Sequence, residues 1–220
     1  MIRGVIMDMD GTMFDTETVY GIGWHRVMAE HGLTLKPEYL AQIRGATAET
    51  NRAHFREWYG ADVDYDGISH ACFVFVQDYL HEHPIPLKPG LFELLDELKR
   101  RSIRVAVATA TRRERAEFRW DKSGVTPYLD ASVCGDEIPV GKPDPRIFLT
   151  AMERLGLPPE ECLVLEDSFN GVRAGYASGA RTVMIPDQDQ PTPELRRLCY
   201  RVVGDLHAVI DIIREEEKGR

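Results

Sequence analysis

At 220 residues the chain exceeds the usual single-domain size of roughly 100 to 150, so one large domain or a core carrying an insert is expected. With 43% hydrophobic and 29% charged residues it has an ordinary globular composition, and no apolar run approaches the roughly 20 residues of a membrane helix, so no membrane partner is expected. A formal charge of -9 argues against a general nucleic-acid partner, which needs a basic face, while leaving room for a local basic pocket around a small phosphate ester. Cys72, Cys134, Cys162 and Cys199 form no C-x-x-C pair, and the amino terminus opens into a strand-like run rather than a signal peptide. Reduced thiols and a cytoplasmic location are the expectation.

In chain order, GVIMDMDGT at 4–12 comes first. Val5, Ile6 and Met7 read as a buried parallel strand that ends at Asp8, and Gly11 lets the chain turn away. Residues 17–32, 38–43, 48–58 and 68–80 are each helix-like, with breaks at Arg44-Gly45 and Tyr59-Gly60 and no Val/Ile strand between them. This predicts an all-helical insert. His81 and His83 beside Pro84 read as a solvated helix end, since no cysteine or carboxylate stands in register to make a metal site. Residues 86–90 form a proline-rich hinge, after which Leu91, Leu94, Leu95 and Leu98 make one buried helical stripe.

From there strands and helices alternate. Strands are predicted over 103–108, 131–134, 162–165 and 182–185, and helices over 112–122, from Asp144-Pro145 to Gly156, and from an N-cap at Asp205 onward. Gly171, Gly175 and Gly179, four apart, match no nucleotide loop and read as close helix packing. The fold class expected is α/β, a doubly wound parallel sheet with an inserted helical domain. The boundaries expected are 1–14 and 88–220 for the core and 15–87 for the insert.

Chemistry is expected where the strands end. Asp8 and Asp10 follow the first, Thr109 the second, and Glu166 with Asp167 the fourth, while Lys142 in GKPDP approaches the same edge from a proline-stiffened loop. Asp8 and Asp10 alone read equally well as the start of a turn. Four carboxylates at one edge are another matter, because two unit charges 4 Å apart repel by about 4 kcal/mol at an effective dielectric of 20. A cation is needed, and oxygen-only ligands favour Mg²⁺ over softer metals and, with waters and a substrate oxygen retained, over Ca²⁺. The amides of Met9, Asp10 and Ala110 at the strand ends suit an anion. In the insert, Tyr20 and Trp24 lie one helical turn apart and Arg44 precedes a break; they read either as contacts to a sugar or second anion, or, for the aromatics, as insert core.

With DMDGT at 8–12, Thr109, Lys142 in GKPDP and the acid pair of LEDSFNG in this order, the chain resembles the haloacid dehalogenase-like superfamily over its whole length, and within it the β-phosphoglucomutase-like phosphatases and mutases. The resemblance implies that the insert is a cap domain, that Asp8 is a nucleophile forming an aspartyl-phosphate, and that Asp10 is the general acid/base. It implies that Thr109 and Lys142 hold phosphoryl oxygens. It further implies Mg²⁺ on a carboxylate oxygen of Asp8, the backbone carbonyl of Asp10 and the carboxylate of Asp167, with Glu166 acting through water. The activity expected is Mg²⁺-dependent hydrolysis of the phosphate monoester of a small metabolite such as a sugar phosphate, by a monomer or small homo-oligomer. A sugar phosphomutase is the enzymatic alternative and a phospho-receiver module the remote one. Against the mutase, the positions that carry a cap arginine and histidine in such enzymes are here Ala48 and Tyr20, although Arg44 or Arg52 lies near enough to substitute. A halide-expelling reaction has no use for the proton donor Asp10.

Overall fold

Gly4–Met7, buried at every residue, forms the middle of a six-stranded sheet in a computed structural model that describes residues 1–43, 46–188 and 190–218. The elements run β1 (Gly4–Met7), α1 (Thr16–Glu30), α2 (Pro37–Ile43), α3 (Ala48–Tyr59), α4 (Tyr65–Glu82), α5 (Leu91–Arg100), β2 (Arg104–Ala108) and α6 (Arg113–Ser123). They continue with β3 (Ala131–Val133), α7 (Arg146–Leu155), β4 (Cys162–Glu166), α8 (Phe169–Ala177), β5 (Arg181–Met184), α9 (Pro193–Leu198), β6 (Arg201–Val202) and α10 (Leu206–Lys218). The sheet is parallel throughout, in the order β3-β2-β1-β4-β5-β6. An α/β fold with a helical cap region is therefore present. Five strands were expected and a sixth appears: β6, two residues at the sheet edge with no apolar run of its own, forms because β5 offers it a pairing edge.

The chain divides into two units, Met1–Asp15 with Ile85–Arg220, and Thr16–Pro84. In the first, the strand period of two sends Ile6, Ala106 and Val164 to one face, where they pack with Ile147, Phe148, Ala151 and Met152 of α7. Val5, Val105 and Leu163 point the other way and are equally buried. The leucine stripe of α5 is buried as its spacing predicts, and Asp205 caps α10 by accepting from the Ala208 amide at 3.2 Å. The two passages of chain at the border of this unit lie side by side. Phe14 pairs with Leu87 in an antiparallel bridge, and the Asp15 amide donates to the Pro86 carbonyl at 2.9 Å.

Gly171 and Gly175 lie within α8, and both are demanded by what they touch: a Cβ on Gly175 would stand 2.6 Å from Thr182 Oγ1. Gly179 instead follows the helix with φ +82°, so its reason is backbone conformation rather than packing. In the second unit, Gly23 lets α1 approach α4, where an added Cβ would come within 2.8 Å of Phe75 Cδ1. Phe55 is fully buried among Trp24, Trp58, Tyr59 and Tyr65, and the Tyr20 side chain packs partly buried against the same cluster. His83, at the C-terminal end of α4, stacks on Tyr79 with ring centroids 4.1 Å apart.

One ion cluster ties α5 to α10. Glu97, almost buried, accepts from Arg100 at 2.9 Å, Arg101 at 2.8 Å and Arg214 at 3.2 Å. The Arg100 hydrogen bond, with those of Arg101 and Arg214, holds the Glu97 carboxyl down at about 2 although burial opposes it. A depressed carboxylate stabilises the fold at neutral pH and loses that contribution as pH falls from the ordinary carboxylate range through about 2. Glu97→Gln is therefore expected to lower the unfolding free energy at pH 7 by about 1 kcal/mol, because two of the three arginines are half exposed and screened. Urea melts of the two proteins are expected to converge as pH approaches 2.

Candidate active site

Register brings the acids together. Met7 pairs with Leu165 and with Val107, so the next residue, Asp8, comes level with Glu166 at the end of β4 and with Ala108 at the end of β2. Lys142, in the loop between β3 and α7, reaches into this edge. Its Nζ donates to Asp8 Oδ1, to Glu166 Oε1 at 2.6 Å and to the Ala108 carbonyl at 3.2 Å. Burial works against the ammonium, yet Asp8 and Glu166 outweigh it and hold the Lys142 pKa above its ordinary value.

Glu166 is fixed from behind as well. Its Oε2 accepts from the amides of Asp167 at 3.0 Å and Ser168 at 2.9 Å and from Ser168 Oγ at 2.9 Å, while Ser168 Oγ caps α8 by accepting from the Gly171 amide. A Cβ on Gly171 would lie 1.8 Å from the Glu166 carboxyl carbon. Helix propensity favours alanine over glycine by about 1 kcal/mol, but a carboxylate pinned by Lys142 and three donors has nowhere to go, and overpacking costs about 1 to 3 kcal/mol. Gly171→Ala is thus expected to lower the melting temperature and, by displacing Glu166 from Lys142, to reduce turnover at least about tenfold; thermal melts and initial rates read both.

Across the edge, Thr12 Oγ1 donates to Asp167 Oδ1 at 3.0 Å. Gly11, at φ +87°, has no space for a side chain, since a Cβ there would stand 2.3 Å from Asp167 Oδ2. Asp10 is gripped at both oxygens: Arg119 Nη1 is 2.5 Å from Oδ1 and Thr111 Oγ1 is 2.7 Å from Oδ2. Thr109 is buried, and its Oγ1 accepts from the Thr111 amide at 3.0 Å. Ala110 is exposed at the end of β2, whereas the Met9 side chain is fully buried, so only the Met9 backbone faces this chemistry. Arg44 lies outside the described residues.

Burial, with Glu166 and Asp10 adding to it, pushes the Asp8 carboxyl up to about 8 against the pull of Lys142. Burial likewise raises Asp167 well above the carboxylate range, with Glu166 and Asp8 contributing. Lys142 and Arg119 together do not balance the four carboxylates of Asp8, Asp10, Glu166 and Asp167, and the donors are all oxygens, so the residues fit a hard divalent cation. Among the described residues no three His, Cys, Asp or Glu side chains form a cage of their own.

Thr12, Thr111, Ser168 and Arg119 take part in this geometry without having been singled out in the sequence. Arg119 left a signal: it shares the buried stripe of α6 with Ala116 and Trp120, and a charge on such a stripe needs a partner.

A family model of haloacid dehalogenase-like hydrolases matches residues 2–179. The chain belongs to this family. Relatives include a phosphorylated carbohydrates phosphatase of Thermotoga maritima, 30% identical with 83% of this chain and 84% of that protein covered. A fructose-1-phosphate phosphatase of Escherichia coli is also 30% identical, covering 82% of this chain and 94% of that one. Among solved structures, CbbY of Rhodobacter sphaeroides in complex with phosphate matches with a TM-score of 0.72 at 26% identity, covering 94% of this chain and 95% of that one. The chain is accordingly a haloacid dehalogenase-like phosphatase, and the receiver-module reading is set aside.

Proposed function

We propose that the protein hydrolyses the phosphate monoester of a small phosphorylated carbohydrate through an aspartyl-phosphate on Asp8, with Mg²⁺ as cofactor. The observation that carries this reading is the meeting of Asp8 and Lys142 at the carboxyl edge of the sheet, with Asp10 two residues on. Lys142 offers positive charge to the transferring group, and Thr109 with the amides of Met9 and Ala110 offers hydrogen bonds to its oxygens. A carboxylate oxygen of Asp8 attacks phosphorus while the bond to the leaving oxygen breaks, and Asp10 in its acid form gives that oxygen a proton. Water then attacks the same phosphorus, Asp10 takes up its proton, and Asp8 is released with inorganic phosphate. Asp8, the Asp10 carbonyl and Asp167 would hold the Mg²⁺, with Glu166 acting through water. Bound there, the ion supplies positive charge that lets an anionic ester approach an anionic nucleophile.

The carbohydrate preference draws on the relatives named above and on CbbY of Rhodobacter sphaeroides, also solved in complex with xylulose-(1,5)bisphosphate. Tyr20 and Arg44 are the cap residues assigned to the leaving group in this reading. For a phosphomutase the cap would need a cation for a distal phosphate. Arg52 engages both oxygens of Asp66 in an exposed pair, Ala48 at the start of α3 carries no charge, and Arg44, the other cation near these positions, is taken here for the leaving group. Free phosphate, rather than an isomerised sugar phosphate, is the expected product. A screen of sugar and polyol phosphates, with Mg²⁺ and after chelation, tests the reading; no metal-dependent phosphate release from any of them would overturn it. A coupled assay for glucose 6-phosphate formed from β-glucose 1-phosphate separates hydrolase from mutase, and mutase flux above hydrolysis would reverse that choice.

A further inference from the structure

Arg119 occupies a position on α6 where an amphipathic helix would carry an apolar side chain. It is 2% exposed, beside the buried Ala116 and Trp120, and its guanidinium is directed at Asp10, whose own side chain is 27% exposed. The two Asp10 oxygens are held from different parts of the chain: Oδ1 by Arg119 from the helix at 2.5 Å, and Oδ2 by Thr111 from the loop after β2 at 2.7 Å. Thr111 is itself oriented, since its amide donates to Thr109 Oγ1. A carboxylate tethered at one oxygen still turns about its terminal torsion, which is broad, whereas donors on both oxygens fix its plane. The arginine fork is rigid and buried, so it supplies a fixed reference that a flexible lysine would not.

We propose that Arg119, together with Thr111, is a positioning residue that sets the plane of the Asp10 carboxyl, so that a lone pair or proton on it is aligned first with the leaving oxygen and then with water. This rests on the reading of Asp10 as the acid/base group. In this reading Arg119 acts through its pair with Asp10 rather than on the phosphoryl group. Its loss should therefore mimic a partial loss of Asp10 and nothing else.

A double-mutant cycle separates this from a structural ion pair. Arg119→Lys, Asp10→Asn and the double variant are compared with wild type on an alkyl phosphate, whose leaving oxygen needs a proton, and on p-nitrophenyl phosphate, whose leaving group does not. Arg119→Lys is expected to lower kcat on the alkyl ester by about 10- to 100-fold, within the range by which acid–base catalysis contributes, with KM within about twofold. The burst of p-nitrophenolate should survive while steady-state turnover slows. In the Asp10→Asn background the same change should cost less than about twofold, because a group that acts only through Asp10 has nothing left to orient. Equal losses in both backgrounds, or an equal slowing of the first transfer step with both leaving groups, would overturn the proposal. Thr111→Val repeats the test without disturbing a buried charge and covers the case in which Arg119→Lys fails to fold. Should Asp10→Asn turn over like wild type, the acid/base reading falls and the clamp with it; a large Asp10→Asn defect with additive Arg119→Lys loss overturns the clamp alone.

Discussion

Asp8→Asn is expected to reduce turnover by more than about 10⁴-fold while leaving the melting temperature unchanged or higher, because it removes the nucleophile and keeps its volume. The stability half of this expectation comes from the site. Asp8 is buried beside Glu166, and burial drives its carboxyl up to about 8, so the ionised side chain is a strained guest in the folded protein. Asparagine carries no charge to desolvate, and Lys142 keeps Glu166 and the Ala108 carbonyl as partners. Initial rates beside a thermal melt read both. A variant that is inactive because it is unfolded would show in the melt and would not support the assignment.

Asp10→Asn is expected to act on a different step. With p-nitrophenyl phosphate, whose leaving group departs unprotonated, the first transfer should proceed and the phosphoenzyme should then persist, since the group that activates water is gone. Steady-state turnover should fall by about 10²- to 10⁴-fold behind an intact burst. Asparagine is preferred to alanine because its amide oxygen still accepts from Arg119, which is buried and would otherwise lose this partner at a cost of about 1 to 3 kcal/mol. Stopped-flow absorbance gives the burst, and its absence together with unimpaired steady-state turnover would remove Asp10 from the water step.

The strands that build the site were legible because each is a continuous apolar run ending in a polar residue. β1 closes on Asp8, β2 on Thr109 and β4 on Glu166, and parallel pairing in register then makes these neighbours. The leucine stripe of α5 and the cap on α10 were equally local signals. What escaped was set by tertiary structure. β6 has no apolar content to announce it and exists by pairing with β5. The close packing read at Gly171 and Gly175 of α8 is present, but that it is set by Glu166 and Thr182 is a tertiary fact no local pattern carries. Arg119 stands 109 residues from Asp10, too far for any spacing rule to join them, and Thr12 and Asp167 are separated by 155. The aromatic residues of the cap read as core or as sugar contacts, and Trp24 is packed against Phe55 and Tyr65 in that core.

The central claim is that Asp8 carries the phosphoryl group between substrate and water. Asp10→Asn incubated with Mg²⁺ and p-nitrophenyl phosphate, quenched in acid and digested, gives a direct reading by peptide mass. One added phosphoryl group on the peptide containing Asp8, absent when Asp8→Asn is combined with it, is the predicted result. Burst release of p-nitrophenolate with no phosphoryl group on that peptide, or with the group on another residue, would contradict it.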